Sequence, residues 1–195
     1  MAIQSILRMG HPILRRRADP VSNPKAIEIS TLIQDLHDSM AAAGGIGLAA
    51  PQIGVPLRVI LYSVPGHRLT ASNSVPQQDS AALGVSLGVP PTILINPELT
   101  PLTEIKLEGW EACLSVPGLM GRVPRYESLR FQALNTDGQP IDGEAHGFHA
   151  RVLQHECDHL DGILYPQQMT DLRWLMFAEE AQKLNSPEVT EALKD

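Results

Sequence analysis

Apolar residues at Ile27, Leu32, Ile33, Leu36 and Met40 recur at the spacing of one helical face and run up to Gly44-Gly45. Asn23-Pro24 places a cap and a first-turn proline ahead of them, so the pattern predicts a helix of about five turns. Short β-rich runs bounded by Pro and Gly follow at Arg58–Tyr62, Thr92–Ile95, Thr103–Leu107 and Leu129–Leu134, and predict the strands of a sheet. Between Pro65 and Pro91 the chain is rich in Ser, Gln, Pro and Gly with few charges, which reads as an extended surface loop. Gly147–Leu160 reads as a second helix. At about 100° per residue, Leu153, Cys157 and Leu160 fall in one sector, while Phe148, Val152, His155 and His159 gather on nearly the opposite side. Such a helix is buried on two faces. A third helix is predicted from Thr170 to about Leu184 on Leu172, Leu175 and Met176, with residues 185–195 fraying.

A chain of 195 residues, at roughly 150 per domain, makes one domain spanning 1–195. Fifteen Lys plus Arg against 22 Asp plus Glu give a net charge of -7, which argues against wrapping a nucleic-acid phosphate backbone. Two cysteines cannot build a disulfide scaffold and read as reduced thiols in a reducing compartment. The N-terminal residues carry Arg8, Arg15, Arg16 and Arg17 without an acid, as a presequence would, but Pro12 interrupts any amphipathic helix there. No stretch approaches the roughly 18 apolar residues of a membrane span. The expectation is a soluble, cytoplasmic protein with no membrane and no nucleic-acid partner.

The chemistry concentrates at His155-Glu156-Cys157-Asp158-His159, an HExxH pattern. Histidines at i and i+4 project from one helical face and can bind a single metal ion, with the intervening Glu beside them as a proton-transfer group. A catalytic metal takes three protein ligands and leaves a position open. No histidine follows His159; Glu179 and Glu180 are downstream candidates on a solvated helix, and the better candidate is Cys113 in Glu111-Ala112-Cys113-Leu114-Ser115. A thiolate is a soft donor that suits Fe(II), Zn, Ni or Co. Cys157 points into the Leu153 and Leu160 sector and reads as a core thiol. Gly45-Ile46-Gly47-Leu48-Ala49-Ala50 fits a dinucleotide fingerprint, but it follows a helix and runs into Pro51, so that reading is rejected. By itself the segment is a tight turn whose small residues allow close backbone approach, followed by Gln52 with an amide N–H to offer an oxyanion.

Taken together, Gly45 to Gln52, Glu111 to Ser115 and His155 to His159 resemble, in order, the GxGxAAxQ, EGCLS and HExxH segments of the peptide deformylase family. The likeness extends to Ile6-Leu7-Arg8-Met9-Gly10-His11-Pro12-Ile13-Leu14 and to His159-Leu160-Asp161-Gly162, covering most of the chain through about Met169. It implies an α+β fold with short antiparallel sheets packed around the HExxH helix, flanked by an N-terminal and a C-terminal helix. It implies hydrolysis of the N-formyl group from the formyl-methionine of new proteins, releasing formate. Cys113, His155 and His159 would hold one divalent metal, Fe(II) in the cell and Zn, Ni or Co as isolated. Glu156 would be general base and then acid, and Gln52 with the backbone N–H of Leu114 would stabilise the oxyanion. Ile46, Phe148 and Val152 would wall the methionine pocket, and the substrate backbone would pair with Ile46 and Gly47 as an added strand.

The chain departs from the family pattern at Ala112, where the usual residue is Gly, and at Met120, where relatives often carry Arg. The tail from Asp171 lacks the basic character by which some members grip the ribosome, leaving transient ribosome proximity. Glu111 reads equally as an acceptor that orients a ligand and as a partner for Arg125. Two rivals stand beside this reading. One is a zinc endopeptidase with a ligand from beyond residue 160; the other is a non-catalytic formyl-peptide or metal binder, against which Gln52, Cys113, His155, Glu156 and His159 are all present.

Overall fold

The computed structural model describes residues 3–70 and 88–183. Two antiparallel sheets enclose a central helix. The first contains five strands in the order β1-β2-β3-β6-β7: β1 Gly47–Ala49, β2 Val59–Val64, β3 Val89–Pro101, β6 Ser128–Leu134 and β7 Pro140–His146. The second contains three, with β4 Lys106–Cys113 and β8 Met176–Phe177 on either side of β5 Val116–Tyr126. The helices are α1 Ile27–Ala43, α2 Gly66–Thr70, α3 Gly147–Leu160 and α4 Ala178–Lys183. The fold is α+β, with α3 as the HExxH helix. No described helix is long and apolar enough to cross a membrane.

The alternation in β2 shows how α3 is held. Ile60 and Tyr62 join the cluster that contains Val152, Leu153, Cys157 and Leu160 of α3, whereas Val59 and Leu61 join Ile29, Leu32, Leu36 and Met40 of α1. With helices covering both faces, a strand reads as an unbroken apolar run. The expected α1 face is thus borne out at Leu32, Ile33, Leu36 and Met40 but not at Ile27, which stands exposed in the first turn, and Gly44 ends the helix in the left-handed conformation at φ 65°. The helix begins at Ile27 rather than at Pro24, because Asn23 Oδ1 accepts from the Lys25 N–H and builds a separate turn first.

The expected strand Thr103–Leu107 begins only at Lys106, since the Thr103 hydroxyl accepts from the Ile105 N–H at 3.1 Å and turns the chain before it. The expected helix from Thr170 is replaced by three short pieces. Asp171 caps a 3₁₀ turn over Leu172–Trp174, and Met176 and Phe177 pair with Met120 and Leu119 on β5 before α4 begins. Ladder bonds to an open sheet edge override the helical spacing there, and Leu172 is left exposed. Of the expected loop from Pro65 to Pro91, the described flanks form α2 and the start of β3; residues 71–87 lie outside the described residues, as does the expected fraying tail.

Candidate active site

α3 enters the site from β7 and presents His155, Glu156 and His159 to the end of β4, where Cys113 sits at a shift in the β4–β5 register. The metal-binding atoms of Cys113, His155 and His159 all lie within 4.8 Å of one another, the one such trio among the described residues. Cys113 Sγ is 3.3 Å from His159 Nε2, close to the ~3.5 Å separating two donors on one tetrahedral ion with bonds of ~2.0–2.3 Å. One thiolate and two imidazoles fit a borderline-soft divalent cation. Burial keeps His159 in its neutral, ligating form, well below the usual histidine range. Glu179 and Glu180 belong to α4, outside this trio, and Glu180 pairs with Lys183 at 2.7 Å.

Both expected roles of Glu111 are met at once. Its Oε2 accepts from His155 Nδ1 at 2.9 Å, while its carboxylate takes Arg125 through Nε at 2.9 Å and a second nitrogen at 3.0 Å. This leaves His155 Nε2 to face the ion, a tautomer fixed by the carboxylate behind the ring. Arg151, which the sequence reading passed over, reaches Glu111 Oε1 at 2.9 Å and the carbonyls of Val123 and Leu107 at 2.8 and 2.6 Å. Gly109 makes room for it, since a Cβ there would fall 2.7 Å from the guanidinium carbon. Arg125 continues to Asp158 at 2.6 Å, and Gln168 donates to the same carboxylate at 3.2 Å. The available signal was Arg151 one helical turn before His155.

Burial alone would raise the Glu111 carboxyl, but hydrogen bonds from His155 and Arg125 and their charges hold it down at about 2. A depressed carboxyl contributes stability above its unfolded pKa and loses it as pH falls through its folded one. Glu111 therefore makes the fold acid-sensitive between about pH 4.5 and about pH 2. Glu111→Ala is expected to destabilise the protein by about 3 kcal/mol or more, because Arg125 and Arg151 stay buried without that acid. Thermal melting at neutral pH reads the loss, and an unchanged melting temperature would contradict it.

Glu156 is buried and lies against Gly47 of β1. Burial, assisted by Glu111 and opposed by His155, lifts its carboxyl to about 7, and its Oε2 has no hydrogen-bond partner. An acid poised near neutrality with a free oxygen can accept and return a proton. A Cβ on Gly47 would lie 2.1 Å from Glu156 Oε1, so only glycine permits this approach. Gln52 is oriented from both ends: Oε1 accepts from the Ala49 N–H at 2.8 Å, and Nε2 points to Ser115 Oγ at 3.0 Å and Cys113 Sγ at 3.5 Å. Cys113 Sγ also receives the Ser115 N–H at 3.4 Å, so donors converge on the sulfur. Leu114 packs within 3.0 Å of where a Gly45 Cβ would be, which brings the glycine-rich segment against the end of β4.

Gln52, Glu111, Cys113, His155 and Glu156 line a cavity of about 530 Å³. Ile46, Gly47, Leu114, Phe148 and Val152 contribute to its wall, so every expected pocket residue shares this cavity with Cys113 and His155. Cys157 is buried in the core on the other side of α3, with its thiol raised by burial. Ala112 also lines the cavity and pairs with Met120, and Met120 in turn pairs with Met176 of β8. The two departures from the family pattern are thus neighbours on one sheet.

A thiolate and two histidines from one helix, with a buried glutamate between those histidines, define a metal-dependent hydrolase. The profile described as polypeptide deformylase matches residues 3–174. Peptide deformylase 1 of Nitrosomonas europaea is 51% identical over 174 residues, covering 88% of this chain and 90% of that protein. Peptide deformylase 2 of Pseudomonas syringae pv. tomato is 48% identical over 171 residues, covering 87% and 88%. Among solved structures, a Met-Ala-Ser-bound class I type b peptide deformylase from Acinetobacter baumannii aligns with a TM-score of 0.73 at 30% identity, covering 86% of this chain and 99% of that one. The chain belongs to the polypeptide deformylase family.

Proposed function

We propose that Cys113, His155, Glu156, His159, Gln52 and Leu114 carry out this chain's reaction, the removal of the N-formyl group from the formyl-methionine of nascent peptides. The observation that supports it most is Glu156, buried with a free oxygen beside the Cys113, His155 and His159 trio. A divalent cation held by that trio supplies Lewis acidity and makes water a nucleophile near neutral pH. Glu156 takes the proton of the attacking water and returns it to the departing amine as formate leaves. Gln52 Nε2 and the Leu114 N–H donate to the oxygen that gains charge. Ile46 and Gly47 align the substrate backbone beside β1, and Ile46, Phe148 and Val152 receive the methionine side chain.

Fe(II) is the metal we assign in the cell, with Zn, Ni or Co as functional replacements, because a thiolate with two imidazoles suits all of them. The enzyme works in the cytoplasm on newly made formyl-Met chains, in transient proximity to the ribosome. The test is formate release by protein loaded with iron under anaerobic conditions and compared after exposure to air. Formyl-Met peptides should be cleaved, acetyl-Met peptides and internal peptide bonds left nearly intact, and the iron form should lose activity in air while the nickel form keeps it. Efficient cleavage of a blocked internal peptide bond would favour an endopeptidase and sink the assignment.

A further inference from the structure

The helix that holds the metal ligands also measures distance. Val152 lies one turn before His155 and Phe148 one turn before Val152, so Phe148 is about two turns, or ~10 Å, from the ligand along the same stripe. A first side chain starting at the reacting carbonyl and running along this stripe ends against Phe148. Behind Phe148 is a second cavity of about 440 Å³. The two cavities share three lining residues, Arg68, Phe148 and Arg151, so they adjoin at these residues.

The three are held very differently. Arg151 is immobilised by Glu111 and by backbone carbonyls on β4 and β5. Phe148 is half-buried, and Arg68, exposed on α2, lies over its ring with the guanidinium carbon 5.0 Å from the centroid. This is cation–π distance, so the guanidinium and the ring attract and hold one another in place. We propose that the Arg68–Phe148 pair is the end wall of the substrate's side-chain pocket and sets how long a first side chain the enzyme accepts, with the second cavity as the space it withholds. This rests on the deformylase reading of the first cavity. Arg68 is then a specificity-determining residue that acts through Phe148, remote from the reacting atoms.

The test compares kcat/KM for two N-formyl tripeptides that differ only in the first residue. One carries methionine; the other carries an unbranched alkyl side chain several methylenes longer. An apolar pocket discriminates by about 10- to 200-fold per methylene, so the wild-type enzyme should strongly favour methionine. Phe148→Ala should shift the ratio toward the long chain by about tenfold or more, and Arg68→Ala should shift it in the same direction by a smaller factor, through KM. Phe148→Leu keeps the comparison available if the alanine variant does not fold. Arg130→Ala removes an exposed arginine outside both cavities and should leave the ratio unmoved. The proposal is overturned if folded Phe148 and Arg68 variants keep the wild-type ratio, or if Arg130→Ala moves it equally. Absence of formate from the methionine peptide in wild type would instead overturn the deformylase reading itself.

Discussion

Glu156→Gln is expected to keep the metal and peptide affinity while formate release falls by about 10² to 10⁴-fold or more. Gln preserves the side chain's shape and one hydrogen-bonding oxygen in its pocket against Gly47, but it cannot accept the proton of the attacking water. Only the transition state suffers. His155→Ala should behave differently and lose the ion, since it removes a member of the trio within 4.8 Å. Metal analysis and formate release on the same preparations separate the two. A Gln variant stripped of metal would make Glu156 a ligand and remove Cys113 from its assigned place.

Gly47→Ala should be nearly as damaging although it touches no ligand. Its new methyl carbon would lie 2.1 Å from Glu156 Oε1 and 2.6 Å from the carboxyl carbon, so the carboxylate must move. Glu156 is 5% exposed, and it has nowhere to go without leaving its proton-transfer position. Displacements of about 1 Å at such a group cost ~10²-fold, so a loss of that order with full metal content is the expected result. Wild-type activity in a folded Gly47→Ala protein would show that this carboxylate placement is not the reactive one.

The parts of the molecule that were legible in the sequence are those where one short pattern carries the signal. α1 repeats its apolar residues on one face and α3 on two, and β2 is a compact β-rich run. β5 escaped notice because Pro117, Gly118, Gly121 and Pro124 punctuate it like a loop. It tolerates them because, among the described residues, β8 pairs only with Leu119 and Met120 on that side, and a missing N–H is accepted where no strand pairs. β7 carries Gly143 at a position where a Cβ would strike the Phe131 ring, a constraint that exists only once β6 and β7 are paired. The C-terminal pattern of Leu172, Leu175 and Met176 is periodic but loses to strand pairing. At the site, the HExxH pair and Cys113 could be read from residue type and spacing. Arg151 behind Glu111 and Gly47 against Glu156 could not, because each depends on a partner delivered by pairing distant in sequence.

Cys113 and His159 stand 46 residues apart in the chain yet meet at 3.3 Å. An ion shared by them closes that whole stretch into a loop, as a disulfide would. By the same chain-entropy arithmetic, a crosslink of this span is worth about 4 kcal/mol against the unfolded ensemble. Both cysteines of the chain are free, so no covalent bridge competes for this role. The catalytic centre is therefore also a removable tether between the three-stranded sheet and α3, one that a chelator can cut and a fresh supply of metal can tie again.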